Sequence, residues 1–171
     1  MPAPRPIVIA LSLAVAGCGW APLYADPQNG PASAELRAIH VDPIPERIGQ
    51  RLELMLRNSL NPTGEPTKER YRLQTSLRFA LSALGLIAAG TSTVGRVDLV
   101  ATYRLTDLQT GALLQTETLH SQNSFALNPN QYSTVVGEYD AALRSAVELD
   151  EEIVTRLTLF LQSRVQTPKP S

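Results

Sequence analysis

The 171-residue chain has a single cysteine, Cys18. One thiol cannot close an intramolecular disulfide, and it cannot build a multi-cysteine metal site. Histidine is almost as scarce, with only His40 and His120. No HExxH, P-loop or nucleophile-elbow pattern occurs anywhere in the chain. These gaps favour binding or assembly over catalysis and give no reason to expect a metal or cofactor. Neither sign of charge dominates, with 15 basic and 16 acidic side chains. No block of like charge points to nucleic acid. The longest apolar run, Ile7 to Ala16, is too short to span a bilayer as an ordinary helix. What the chain does have is an apolar fraction of 43%, ordinary for a globular protein, and enough length for one domain.

The position of the lone cysteine is informative. Arg5 and the amino terminus supply positive charge ahead of the apolar run, and small residues follow it. That is the layout of a secretory signal peptide. Val15-Ala16-Gly17-Cys18 resembles a lipobox, the cleavage and lipidation site of bacterial lipoproteins. Residues 1–17 are therefore expected to be a lipoprotein signal peptide, with Cys18 as the lipid-attachment site bearing palmitate-type acyl groups. Gly19 follows, with no aspartate there, which leans toward the outer membrane by resemblance to enterobacterial sorting. Residues 18–33 hold Pro22, Pro27, Gly30 and Pro31 and read as a lipidated tether. Trp20, Leu23 and Tyr24 within it either dock on the domain or sit at the membrane interface.

The domain is expected over 34–165. Leu36 to Val41 reads as a first strand. Pro45 and Glu46 suit the first turn of a helix, and Ile44, Ile48, Leu52, Met55, Leu56 and Leu60 recur at helical spacing. Tyr71, Leu73, Thr75, Leu77, Phe79 and Leu81 then alternate with polar or small residues, as do Val97, Leu99, Ala101, Tyr103 and Leu105. Period two means strands with one buried face. Asp107 to Gly111 makes a turn, and Leu113 to Phe125 is a third long strand, ended at Asn128-Pro129-Asn130. A helix of about thirty residues follows. Its expected stripe is Val136, Tyr139, Leu143, Val147, Val154, Leu157 and Leu161, with a bend near Leu149-Asp150. Residues 166–171 hold two prolines and read as a disordered tail. The order β-α-β-β-β-α predicts an α+β two-layer sandwich, a four-stranded mixed sheet with both helices on one face.

Two features suit a binding role. Arg72, Arg78, Arg96 and Arg104 fall together on the sheet face away from the helices. They form either a solvated face with cross-strand ion pairs or a basic surface for phosphate-bearing partners. The stretch from Ser82 to Val94 carries Leu84, Leu86 and Ile87. Either the strands extend and bury these residues, or the tip is an exposed apolar patch for protein or lipid. His40 and His120 read as structural or surface histidines, and Glu148, Asp150, Glu151 and Glu152 as a solvated helix face.

A family resemblance joins these features. Cys18-Gly19-Trp20-Ala21-Pro22-Leu23-Tyr24 resembles the mature start of the lipopolysaccharide (LPS) assembly lipoproteins, the LptE (RlpB) family, especially in its alphaproteobacterial form. Ile44 to Leu52 is similar to that family's first-helix opening, and Tyr103 to Asp107 followed by Thr110-Gly111 is similar too. The resemblance implies an outer-membrane lipoprotein on the periplasmic face. It would plug the barrel of LptD, help it assemble, and bind LPS on its way to the outer leaflet. No bond is made or broken in that role. The arginine face and the apolar hairpin would then meet barrel lumen or LPS. An alternative is an auxiliary lipoprotein of an ABC-type lipid transport system, which needs a closed apolar groove. A third reading, an anchored periplasmic enzyme, needs polar groups converging in a pocket.

Overall fold

The computed structural model describes residues 31–62, 64, 68–84 and 94–166. The expected signal peptide, Cys18, most of the expected tether, the stretch with Leu86 and Ile87, and the last five residues lie outside them. The elements are α1 (Pro31–Leu36), β1 (Ile39–Val41), α2 (Arg47–Leu60), β2 (Tyr71–Leu84), β3 (Val94–Asp107), β4 (Leu113–Ala126) and α3 (Gln131–Gln166). The strands lie side by side in chain order. β1 runs parallel to β2, and the other pairs are antiparallel. With α2 and α3 on one face, this is the expected two-layer α+β sandwich.

Five local expectations need correction. Leu36 is not in a strand: it ends the short helix α1 and is buried in the core, and β1 has only three residues. Helix α1 takes in 31–33, the last part of the expected tether. It is held by Glu35, which accepts two hydrogen bonds from Arg70 Nη1 (2.8 and 2.9 Å) and one from the Tyr71 hydroxyl (2.6 Å). Burial, with the Glu35 carboxylate second, pushes the Tyr71 hydroxyl up to about 12. Second, Pro45 stands before α2, not in its first turn. Glu46 at the cap has φ of 69°, a left-handed conformation that delays the helix to Arg47. Ile44 is nonetheless buried, its N–H donating to Glu53 Oε2 at 3.0 Å.

The third correction concerns α3, which runs unbroken for 36 residues from an Asn130 side-chain cap on the Tyr132 N–H. Its buried face is Ala142, Ala146, Leu149, Ile153, Leu157 and Leu161, whereas Val136 and Val147 of the expected stripe are exposed. The alanines lack bulk, so a pattern read from large residues tilts away from them. Small side chains are also what lets a helix lie close to a sheet.

The fourth concerns the buried face of β2. Alternation holds along β3, where Val97, Leu99, Ala101, Tyr103 and Leu105 are all fully buried. On β2 it holds only at the start. Tyr71, Leu73 and Thr75 are buried, but Phe79 is 39% and Leu81 50% exposed. Leu81 pairs with fully buried Val97, which packs under Ala141 and Ala142 of α3, so the helical cover reaches this row over β3 but not over the edge strand β2. Gly95, opposite Phe125, lets that ring lie flat across β3: a Cβ there would sit 2.4 Å from the ring's Cζ.

Asp150, expected on a solvated face, instead points into the seam between α2 and α3. It is 8% exposed, and Ser59 Oγ donates to its Oδ2 at 2.8 Å. Burial pushes this carboxyl above its ordinary value, with the Ser59 hydrogen bond pulling the other way. The folded chain therefore holds the proton more tightly than the unfolded one. Stability must fall as pH climbs from the unfolded carboxylate range, near 4, through the higher folded value. Asp150→Asn keeps an acceptor for Ser59 and removes the charge. It is expected to stabilise the fold at pH 7 by on the order of 1 kcal/mol, a few degrees in Tm for a chain this size. The gain should shrink toward zero at pH 4, and thermal melts at the two pH values check it.

Candidate functional site

Even-numbered residues of β2 and β3 point away from the helices, and this places all four arginines on one open face as expected. Register brings Arg104 opposite Gln74 and Thr116, Arg78 opposite Val100, Arg96 opposite Ser82 and Ser124, and Arg72 opposite Thr106. Two of the four are committed to carboxylates. Arg72 Nε lies 3.6 Å from Asp42, just beyond β1, and Arg96 Nε lies 3.3 Å from Asp98. Asp42 also takes a hydrogen bond from Gln74 Nε2 (3.1 Å) and sits 3.7 Å from His40 Nε2. Asp98 accepts from Ser82 Oγ as well.

Arg78 and Arg104 have no carboxylate partner among the described residues. Four residues along the strands and one strand across put them roughly 14 Å apart. That exceeds the screening length of about 8 Å in physiological salt, so they act as separate cations. Arg104 borders a shallow depression lined also by Gln74, Ser76 and Thr102. Thr102 and Thr118 hydroxyls pair at 3.0 Å beside it. A guanidinium fork ringed by hydroxyl and amide groups suits a phosphate or carboxylate better than an apolar ligand.

The hairpin end has a different chemistry. The ladder of β2 and β3 continues to the pair Leu84–Val94, so the strands extend further than the sequence required. The Leu84 side chain, Leu86 and Ile87 lie outside the described residues. Around that end, Phe79, Leu81, Val94, Tyr132, Val135 and Val136 are exposed. The first turns of α3 bring the last three there, a contribution that no strand pattern could reveal. The opposite end holds α1, the Tyr71–Glu35 contact and the entry of the chain from its amino terminus. Strands of 14 residues separate the two ends by roughly 45 Å.

The remaining candidates gather no reactive centre. His40 lies between Asp42 and Glu69, its Nδ1 3.1 Å from Glu69 Oε1, while His120 is exposed on β4 opposite Val100. Among the described residues no three His, Cys, Asp or Glu side chains come together to hold a metal. Two further depressions are open. One lies between α2 and the end of β1, lined by Val41, Leu54, Arg57 and Asn61, the other along the acidic side of α3. None of the three is a closed apolar groove.

This sheet with two helices on one face is a fold shared with solved bacterial lipoproteins. One such structure, a candidate lipoprotein from Caulobacter crescentus, aligns over 83% of this chain and all of its own, at 20% identity and a TM-score of 0.66. A minor lipoprotein from Acinetobacter baumannii aligns over 71% of this chain and 90% of its own (16% identity, TM-score 0.58). An uncharacterized lipoprotein B from Nitrosomonas europaea aligns over 75% and 86% (16% identity, TM-score 0.52). No family model and no curated protein matches the chain. At these identities the likeness is one of fold.

Proposed function

We propose that this protein is a lipoprotein of the LptE type, anchored through Cys18 on the periplasmic face of the outer membrane. It plugs the LptD barrel, assists its assembly, and binds LPS in transit to the outer leaflet. The observation that carries this reading is the coincidence of a lipobox with a fold shared by solved bacterial lipoproteins. The shape supports it. The chain enters the domain at one end, and Phe79, Leu81, Val94, Tyr132, Val135 and Val136 form an exposed apolar group at the other, where they are free to pack against a barrel wall, while Leu108, Leu113, Leu159 and Val165 are exposed toward the entry end. Arg104 and its polar surround offer a hydrogen-bonding cation to LPS phosphate. The rival reading, an ABC-system auxiliary, gains nothing from the three open depressions.

Purification of the tagged, lipidated chain from detergent-solubilised membranes tests the proposal. A large β-barrel protein should come with it in near-stoichiometric amount, and a photo-crosslinker at Arg104 should capture LPS. Recovery of the lipoprotein alone, with no LPS adduct, would overturn it.

A further inference from the structure

β1 covers very little of its neighbour. It pairs with Tyr71 to Leu73 only, while β2 continues for eleven residues beyond. The direction of the backbone along β2 is settled by three bonds at that junction. Tyr71 N–H donates to Ala38 O and Asp42 N–H donates to Leu73 O on the β1 side, while Leu108 N–H donates to Arg70 O on the β3 side. Odd residues of β2 thus turn their backbone groups toward the β1 side, and even residues turn theirs toward β3. Past Asp42 the chain leaves for α2. Thr75, Leu77, Phe79 and Leu81 then face outward with no backbone partner among the described residues.

Such edges are usually blunted by proline, lysine, a bulge or an inward-pointing charge. None of these occurs from Thr75 to Leu81, and the β2–β3 register is unbroken throughout. On the helix side the edge presents half-buried Leu77 and exposed Phe79 and Leu81. On the open side it presents Arg78, which has no carboxylate partner among the described residues. The other edge differs: β4 shows Glu117, Ser121 and Asn123 toward α3, tied to Arg156, Glu148 and Ser145.

We propose that β2 from Thr75 to Leu81 is a strand-addition site for an extended segment of a partner protein. The incoming strand is apolar on the side of Phe79 and Leu81 and acidic on the side of Arg78. Backbone pairing supplies affinity, and the alternating side chains supply choice of partner. A second copy of this chain is the wrong occupant. Two antiparallel β2 edges joined within this run would set Arg78 opposite or diagonal to its own copy, and like charges so placed repel. This inference does not depend on the barrel reading above.

The test is amide exchange by NMR on the mature, lipidated chain in detergent micelles. The probe is a synthetic peptide of about ten residues alternating valine and glutamate, at millimolar concentration. Without peptide, the Thr75, Leu77, Phe79 and Leu81 amides should exchange fast while Ser76, Arg78 and Ala80 stay protected by β3. With peptide, the four odd amides should slow by about tenfold or more. A peptide with lysine in place of glutamate should do much less. Phe79→Pro removes one outward N–H and should abolish the effect while the even amides keep their protection. Arg78→Glu should transfer the preference to the lysine peptide, and this variant decides the matter if the proline variant loses its even-residue protection. Unchanged exchange, equal response to both peptides, or odd amides already protected in the chain alone would each overturn the proposal.

Discussion

Cys18→Ser, exported behind a cleavable leader that does not need the cysteine, is expected to move the protein from the membrane fraction to the soluble periplasm and to leave it without labelled fatty acid. The physical basis is additive burial of methylenes, about 0.8 kcal/mol each, so that one acyl chain holds marginally while two or three hold firmly. Serine cannot form the thioether on which the diacylglycerol depends. The tether from Gly19 to Gly30 carries Trp20, Leu23 and Tyr24 as its large apolar residues, too few to replace two acyl chains. Membrane-bound protein should therefore drop by an order of magnitude or more. Fractionation, radiolabelled palmitate and intact mass are the measurements. Full membrane retention of an unacylated serine variant would refute the anchor and take the proposed function with it.

The second large effect concerns which face of α3 the sheet receives. Ile153 is fully buried in the main core, among Leu52, Leu56, Leu149 and Leu157. Ile153→Ala removes three carbons and leaves a cavity that a packed interior closes only in part, at a cost of about 2–5 kcal/mol. Val147 belongs to the stripe that the large residues suggested, yet it is 43% exposed. Val147→Ala should stay within about 0.5 kcal/mol. Urea denaturation of the two variants separates these values easily. Equal losses would mean that the helix is rotated from the position described, with Ala142 and Ala146 no longer against the sheet.

Strands β2 and β3 were legible because a half-buried strand repeats every two residues, and β4, more polar and less regular, was legible from its threonine-rich middle. Helix α2 was legible from its own period at helical spacing, with Leu52, Leu56 and Leu60 all buried as the pattern implies. The turn at Asp107 was legible from local chemistry: its Oδ1 accepts from the Gln109 and Thr110 amides, and Gly111 takes a φ of 70°. The arginine face followed from alternation alone. Its electrostatics did not, because Asp42, which engages Arg72, comes from 30 residues earlier and reaches it only through the parallel β1–β2 pairing. Register, not composition, left Arg78 and Arg104 as the arginines of this face without a carboxylate partner among the described residues.

What the sequence determined by itself is whatever depends on neighbours along the chain: the period of most elements and the α+β class. Only the tertiary structure decided where helical cover stops, and so why Phe79 and Leu81 stay exposed although their alternation matches that of buried Leu73. It also decided that Asp150 is interior and that β1 is too short to close the edge of β2. Burial and pairing are properties of distance in space. Alternation says that a strand has an apolar face, but only the placement of α2 and α3 determines how much of that face leaves water.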